Sequence, residues 1–480
     1  MPVTTLLPMN LPLTNTPPIK GRRVRTRAAV VGLSLSMALL TGCGGGDGTE
    51  SAADGGEKPS GKPVASGPAY QGAALPGYAR KAAWSLPTDN PELGVLDLGA
   101  VLLFARDASG EYLTDATVDG EPDDVNRVLF SSDEAQKVTL EFRDVRTGAV
   151  TKTLGVTAQS VEGVTWKDGA PAIAVGTSAT KESDGLTQEE TTTSATLYSV
   201  DGTKLGETSG YGFGHVVAGY AVAAADGAVT LTPVGGGTAR TVPCNGDDDA
   251  ECDFDAETGI ASGDKTFAPV IAGGYYPGFE AAGNYDYDPS DVTLNDLTTG
   301  KQVWSSADAE VPKGVVLDDG EPRDRTIRVV KVSDGKLLVA WKKDIGLSPA
   351  PQVYAWYDLA SGALTASYEG GQLVVYSADG SLAALDKSEF DTGFDGTALW
   401  KTADGSRLWA QEEGENALDP IRFSGNGEVL YGSTGDGELA VDVKTRKVLA
   451  KDLTAVPDVN ARTGYGYLAT EDGFFVFAPA

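Results

Sequence analysis

Histidine is almost missing from this 480-residue chain. There is one, His215, alongside three cysteines and three methionines. Any Ser-His-Asp or Cys-His site would have to use it. A structural zinc site takes about four N or S ligands, which this composition can hardly supply. His215 enters an apolar strand in YGFGHVV, and there it reads as a rim or core polar residue. Basic residues are scarce too: Lys plus Arg is 38 against 68 Asp plus Glu, a net charge of −30. Phosphate backbones and anionic lipid surfaces both need a basic face. Nucleic acid is therefore excluded as a partner, and so is attachment to lipid through basic residues. The apolar run Ala28–Leu40 is thirteen residues, short of the roughly 20 that a membrane-spanning helix needs. No P-loop, GxSxG or HExxH pattern occurs. No segment longer than ten residues carries a 3.6-residue period, so helices should be scarce.

Glycine, by contrast, is abundant. There are 61, well above the usual share of roughly 7%, without a collagen period. Hydrophobic residues make up 41%, enough for a sizeable core. Many glycines in a chain with a core imply many turns between short strands.

The N-terminus reads as an address. Lys20-Gly-Arg-Arg-Val-Arg-Thr-Arg27 is a positive stretch, Ala28–Leu40 an apolar core, and Leu40-Thr41-Gly42-Cys43 follows. A charged start, an apolar run of about 7–15 residues and small residues at its end make a secretory signal. The tetrapeptide resembles the bacterial lipobox. That resemblance implies cleavage between Gly42 and Cys43 and lipid on Cys43. Residues 1–42 are then the signal, and 43–67 a Gly/Ser/Ala-rich tether. Arg22-Arg23 leaves twin-arginine export open beside the general route. Removing the signal takes away five basic residues and no acidic ones, leaving 33 against 68 and a net charge of −35. Such a surface suits a soluble extracellular domain, expected as a monomer.

Residues 68–480 repeat. Val138–Leu154, Ala195–Thr208, Asp291–Ser306, Gln352–Gly370, Thr397–Gln411 and Gly437–Leu453 each alternate apolar and polar residues, turn at a polar site, and alternate again. Period two around a short turn is a β-hairpin. An apolar stretch precedes each, which makes a four-stranded unit. The later turns recur about 40–60 residues apart, the period of propeller blades.

DLTTGKQVW from Asp296 to Trp304 and DLASGALTASY from Asp358 to Tyr368 resemble the PQQ-like β-propeller repeat. Its pattern is a buried strand followed by Asp-x-x-Thr-Gly-Lys-x-x-Trp. Lys is present only at Lys301 and Trp only at Trp304, and Arg446 replaces the turn Gly in the last unit. The resemblance implies an all-β propeller of four-stranded blades, eight by this count with seven as the alternative. At the ends, AAWSLP from Ala82 resembles an outer strand lacking its inner ones. YGYLATEDGFFVFAPA from Tyr465 resembles inner strands lacking the outer one. Together they would make one blade and remove an open edge. Quinone-dependent enzymes of this family hold their cofactor with calcium, a stacking Trp and a disulfide between adjacent cysteines. This chain has no adjacent cysteine pair, so no such cofactor is expected.

Cys244 and Cys252 flank Asn-Gly-Asp-Asp-Asp-Ala-Glu. Outside the cell a local disulfide is favoured there. Asp247, Asp249, Asp253 and Asp255 crowd carboxylates, and calcium takes six to eight oxygens, but Phe254 stands near the place of the EF-hand Gly. Calcium therefore stays open beside a solvated loop. Tyr285, Asp286, Tyr287 and Asp288 mix aromatics with carboxylates, a composition that stacks sugars or simply tips a loop.

The Gly/Ala/Asp-rich style resembles actinobacterial lipoproteins. The expected role is a non-catalytic propeller on the outer face of the cytoplasmic membrane. It would present loops to an envelope protein or polysaccharide. An extracellular glycan-active enzyme and a calcium or solute sensor remain the other readings.

Overall fold

The structure is a computed structural model. It describes residues 67–91, 93–113, 128–181, 190–209, 216–225, 228–243, 274–281, 289–297, 299–315, 317–318, 321–322, 327–333, 335–342, 352–371, 374–389 and 394–480. The chain divides at Lys58 into two units. The first lies wholly outside the described residues, and all that follows concerns the second.

The described residues are all-β. Their one helical turn is a 3-10 segment, Lys167–Gly169. Five sheets have four antiparallel strands each. Sheet A joins the first and last strands of the described residues: Trp84–Leu86 lies beside Gly473–Phe477, followed by Gly466–Thr470 and Asp458–Val459. Sheet C spans Val216–Val217 to Arg240–Pro243, sheet E spans Ile327–Ser333 to Leu364–Gly370, sheet F spans Val374–Tyr376 to Arg407–Ala410, and sheet G spans Asp419–Phe423 to Val448–Leu453.

A uniform four-stranded unit does not hold elsewhere. Sheet B runs from Leu96–Asp97 to Lys204–Ser209 and has seven strands. The reason lies in Val150–Thr165, where half of the sixteen residues are Val or Thr and none is Pro, so nothing stops the strand. Its first part pairs with Val128–Asp144. Its end, Ser160–Thr165, pairs with Pro171–Lys181. Sheet D has three strands, Tyr275–Ala281, Pro289–Asp296 and Gln302–Ser305. Leu317–Asp318 and Glu321–Pro322 make a small separate pair.

Burial explains why the middle strands read as apolar runs. Val353–Tyr357 is buried at every position, as is Gly473–Phe477. A strand covered on both faces has no solvent side to make polar. The last strand of sheet G, Val448–Leu453, is exposed at most positions.

One turn recurs. At Asp144–Gly148, Asp296–Gly300, Asp358–Gly362, Lys401–Gly405, Asp442–Arg446 and Asn460–Gly464 the fifth N–H donates to the first carbonyl, at 2.7–3.0 Å. The fifth residue is left-handed in all six, which favours glycine. Where the first residue is Asp, its carboxylate accepts the N–H of the residue three further on, at 2.6–2.9 Å. This is the Asx device that stops a strand.

Neighbouring sheets are fastened in chain order. Trp84 of sheet A donates its indole N–H to the Val145 carbonyl of sheet B at 2.7 Å. The Ala218 N–H of sheet C donates to Thr165 Oγ1 at 3.0 Å. Gly300 of sheet D lies against Arg240 of sheet C. The rings of Trp304 and Tyr357 meet at 5.2 Å between sheets D and E, and the hydroxyls of Tyr368 and Tyr376 at 3.0 Å between E and F. Trp409 of sheet F donates to the Val443 carbonyl of sheet G at 2.8 Å. Arg422 of sheet G pairs with Asp458 of sheet A at 2.6 Å.

Candidate functional site

The residues singled out in the sequence lie outside the described set. This holds for Gly42, Cys43, His215, Cys244, Cys252, Asp247, Asp249, Asp253, Asp255, Tyr285, Asp286, Tyr287 and Asp288. The site that the described residues build is an open cleft of about 240 Å³ between sheets F and G.

Its first wall comes from Gln411, whose amide binds three backbone groups. Gln411 Oε1 accepts the N–H groups of Thr397 and Leu418, each at 2.9 Å, and Nε2 donates to the Asn416 carbonyl at 2.7 Å. These bonds fold residues 412–417 over the end of the Arg407–Ala410 strand and fix Glu415 and Asn416 at the rim. The opposite wall is the Gly437–Asp442 and Val448–Leu453 hairpin. There Glu438 faces Leu453 and Leu439 faces Lys451, so Asp452 is the extra residue of a β-bulge. Its φ is 53°.

Arg446 is the second unusual backbone. It occupies the glycine position of the recurring turn with φ 58°. Three non-glycine residues in the described set are left-handed, and two of them, Arg446 and Asp452, line this cleft. Strained backbones gather where a side chain must be aimed.

A sister junction shows what Arg446 does. At Gly148 a Cβ would come within 2.5 Å of the Trp84 ring, so that turn accepts only glycine. Between sheets F and G the same indole-to-carbonyl bridge, 2.8 Å against 2.7 Å, is made by a more exposed ring. Trp409 is half-buried whereas Trp84 is 6% exposed. The extra room takes the Arg446 side chain, with its guanidinium 5.3 Å from the Trp409 ring centre. Arg446 Nη2 donates to both Glu415 oxygens, at 2.7 and 2.8 Å. The Glu412 N–H, and then Arg446, hold the Glu415 carboxyl below its ordinary range.

Asp436 and Glu438 bring the remaining carboxylates. Among the described residues, Asp436 Oδ2 accepts from Asn416 Nδ2, at 3.3 Å. Glu438 Oε2 is shielded from solvent and has no hydrogen-bond partner among the described residues. Among those residues no three His, Cys, Asp or Glu converge tightly enough to hold a metal ion. Leu439, Val441 and Val448 give the cleft an apolar floor. No family model matches the chain, and no curated protein matches it.

Arg446→Gly tests why the arginine is there. It relieves a left-handed backbone costing roughly 1 kcal/mol. Against that it loosens the unfolded chain by about 0.5–1 kcal/mol, and it removes an exposed ion pair and a ring contact worth about 1 kcal/mol together. The expected change in urea-unfolding free energy is within about 1 kcal/mol of zero. A loss above roughly 2 kcal/mol would make Arg446 a structural fastener instead.

Proposed function

We propose that the chain is a lipid-anchored, non-catalytic binding module held outside the cell, with a β-propeller of eight blades as its body. On this reading the signal ends at Gly42, Cys43 carries lipid, and residues to 67 hold the propeller off the membrane. The observation that carries the architecture is sheet A. Its pairing of Trp84–Leu86 with Gly473–Phe477 is what a propeller needs to close on itself. Two further facts support the count. The seven strands of sheet B make two blades if the long Val150–Thr165 strand serves as the outer strand of one and the inner strand of the next. The three strands of sheet D make another. The contacts of each sheet with the next, returning from G to A, fit the same order.

The cleft between sheets F and G supports the binding role. It joins an aromatic ring, an apolar floor and uncompensated polar groups, a combination typical of ligand sites. The anchor is tested by expressing the chain in bacteria fed an alkyne-tagged palmitate. The expected result is label in the membrane fraction and a mature N-terminus at Cys43. Cys43→Ala should abolish the label and leave the chain uncleaved. Unlabelled wild-type chain with a free Cys43 thiol would overturn the anchor.

A further inference from the structure

We propose that residues 67–79 form a strap that seals the junction of sheets G and A and carries the pull of the membrane tether. The load-bearing half rests on the anchor reading, and the sealing half does not. The strap lies across both sheets. Tyr70 meets the rings of Phe475 and Phe477 in sheet A edge-on, at 5.2 and 5.1 Å between centres. Leu75 and Tyr78 are buried, and they pack with Tyr431 and Leu453 of sheet G and with the same two phenylalanines.

Leu75-Pro-Gly-Tyr78 makes a turn that seats the strap. The Tyr78 N–H donates to the Leu75 carbonyl at 3.1 Å, and Gly77 has φ 87°. Such a turn takes Pro second and Gly third. A Cβ on Gly77 would lie 2.7 Å from Ser424 Cβ, so glycine is what lets the turn rest on sheet G. Tyr78 Oη accepts the Gly425 N–H at 3.1 Å, and the Tyr431 hydroxyl donates to the Pro76 carbonyl. On the side of sheet A, the Ala79 N–H donates to the Ala478 carbonyl at 2.9 Å and the Ala480 N–H to the Gly77 carbonyl at 3.0 Å. Ser85 Oγ donates to the Pro68 carbonyl at 2.8 Å.

This junction needs a part from outside. The outer strands of sheets A, D, E and F each bring an aromatic to the next junction: Trp84, Trp304, Tyr368 and Trp409. The outer strand of sheet G reads VLAKDL and brings none. Its Ala450 packs against the same core cluster as Tyr70 and Tyr78. The two tyrosines of the strap therefore fill the room that the strand's own side chains leave, and an unfilled gap would lose the contacts of its lining. The same placement protects the first strand. Trp84–Leu86 pairs with the last strand over three residues. A pull arriving through residues 43–66 meets the strap first, and the strap must peel from two sheets before tension falls on that short pairing.

The test uses the full-length chain with a C-terminal affinity tag and a site-specific protease sequence inserted after Lys81, where Arg80 and Lys81 are exposed. Membranes of the expressing bacteria are cut and sedimented. The wild-type body is expected in the pellet, held by the contacts of the strap alone. With Tyr70→Ala and Tyr78→Ala together it should leave at least about tenfold faster, since burying the Tyr78 ring is itself worth about that factor. Tyr70→Phe with Tyr78→Phe keeps the rings and should stay in the pellet. Wild-type body lost on cutting, or double-alanine body retained, would overturn the strap. Hydrogen exchange reads the seal. Once the strap is lost, the amides of Gly473–Phe477 should exchange faster while those of Val353–Tyr357 in sheet E keep their rate. No change at the first, or equal acceleration at both, would overturn the seal. An unchanged rate at Val353–Tyr357 in the uncut double-alanine chain shows that it folds. Uncut wild-type chain found in the supernatant would remove the anchor and the load with it. The strap is then read from the cut chain captured by its tag in detergent. Its fragment should co-elute with the wild-type body and be lost from the double-alanine one, and the opposite result would overturn it.

Discussion

Asn460→Asp is expected to cost about 3–5 kcal/mol of folding stability at pH 7, because it places an uncompensated charge in a closed site. Asn460 is fully buried. Its Oδ1 accepts the N–H and hydroxyl of Thr463 at 2.7 and 2.6 Å. Its Nδ2 donates to Asp97 Oδ1 at 2.6 Å and to the Gly99 carbonyl at 2.7 Å, tying sheet A to sheet B. A carboxylate repeats the first pair of bonds and cannot make the second. It would also face the Asp97 carboxylate. The sign of the pH effect follows. Burial and a like charge raise the folded pKa of the new acid above its ordinary value of about 3.9. Stability is then kept below that value, where the acid is protonated and can donate, and lost as pH rises through the raised pKa. The wild type carries the opposite trend. Asp358 and Asp442 sit in the same turn at the surface, where Ser361 and Thr445 hydrogen bonds hold them below their ordinary range. Their contribution is present above the ordinary carboxylate value and lost as pH falls through the lowered one. The comparison is therefore variant minus wild type, by urea unfolding at pH 4 and pH 7. The deficit should be small at the lower pH and full at the higher. An equal deficit at both would assign the loss to shape alone.

The same turn shows how much the sequence discloses. Asp-x-x-Thr-Gly between alternating segments announces a hairpin, because both the Asx cap and the left-handed fifth residue are local. All six hairpins read from the sequence are hairpins in the structure. The meeting of the chain ends was legible too, since Trp84-Ser85-Leu86 is an apolar strand with no partner nearby. What escaped reading depends on distance along the chain. Nothing in Asn-Ala-Arg-Thr-Gly at Asn460 says that residues 97–99 close over it, 361 positions or more away in sequence. Arg446 stands out as a missing glycine, but the ring beneath it belongs to Trp409. The cleft carboxylates come from three separate segments, each of which reads as an ordinary charged loop. The contiguous acidic runs near Asp247 and Tyr285 draw the eye precisely because they are local, and they lie outside the described residues. The merging of two expected units into sheet B turns on whether a strand stops, and sixteen residues without proline gave no signal that it should.

Trp84→Ala should cost about 4 kcal/mol, a large share of the 5–15 kcal/mol that holds a typical domain together. The indole packs with Phe474, with ring centres 5.8 Å apart, and with the core formed by Leu86, Leu102 and Phe104. Its N–H is the bond to Val145 that joins sheet A to sheet B. Removing it leaves a cavity and a buried carbonyl short of a donor, and the two costs add. Trp84→Phe separates them: it keeps most of the ring contact and loses the N–H, for about 1–2 kcal/mol. Urea unfolding should show a lower midpoint with an unchanged slope in both variants. Trp409→Ala removes the same bridge at the junction of sheets F and G, but from a half-exposed ring whose contacts include Arg446 rather than a closed core. Its cost should be about half as large, with the effect appearing in ligand binding instead. Equal losses at Trp84 and Trp409 would mean that the two junctions are equally tight. The cleft would then be no more than a surface groove, and the room that Arg446 occupies would have no special meaning.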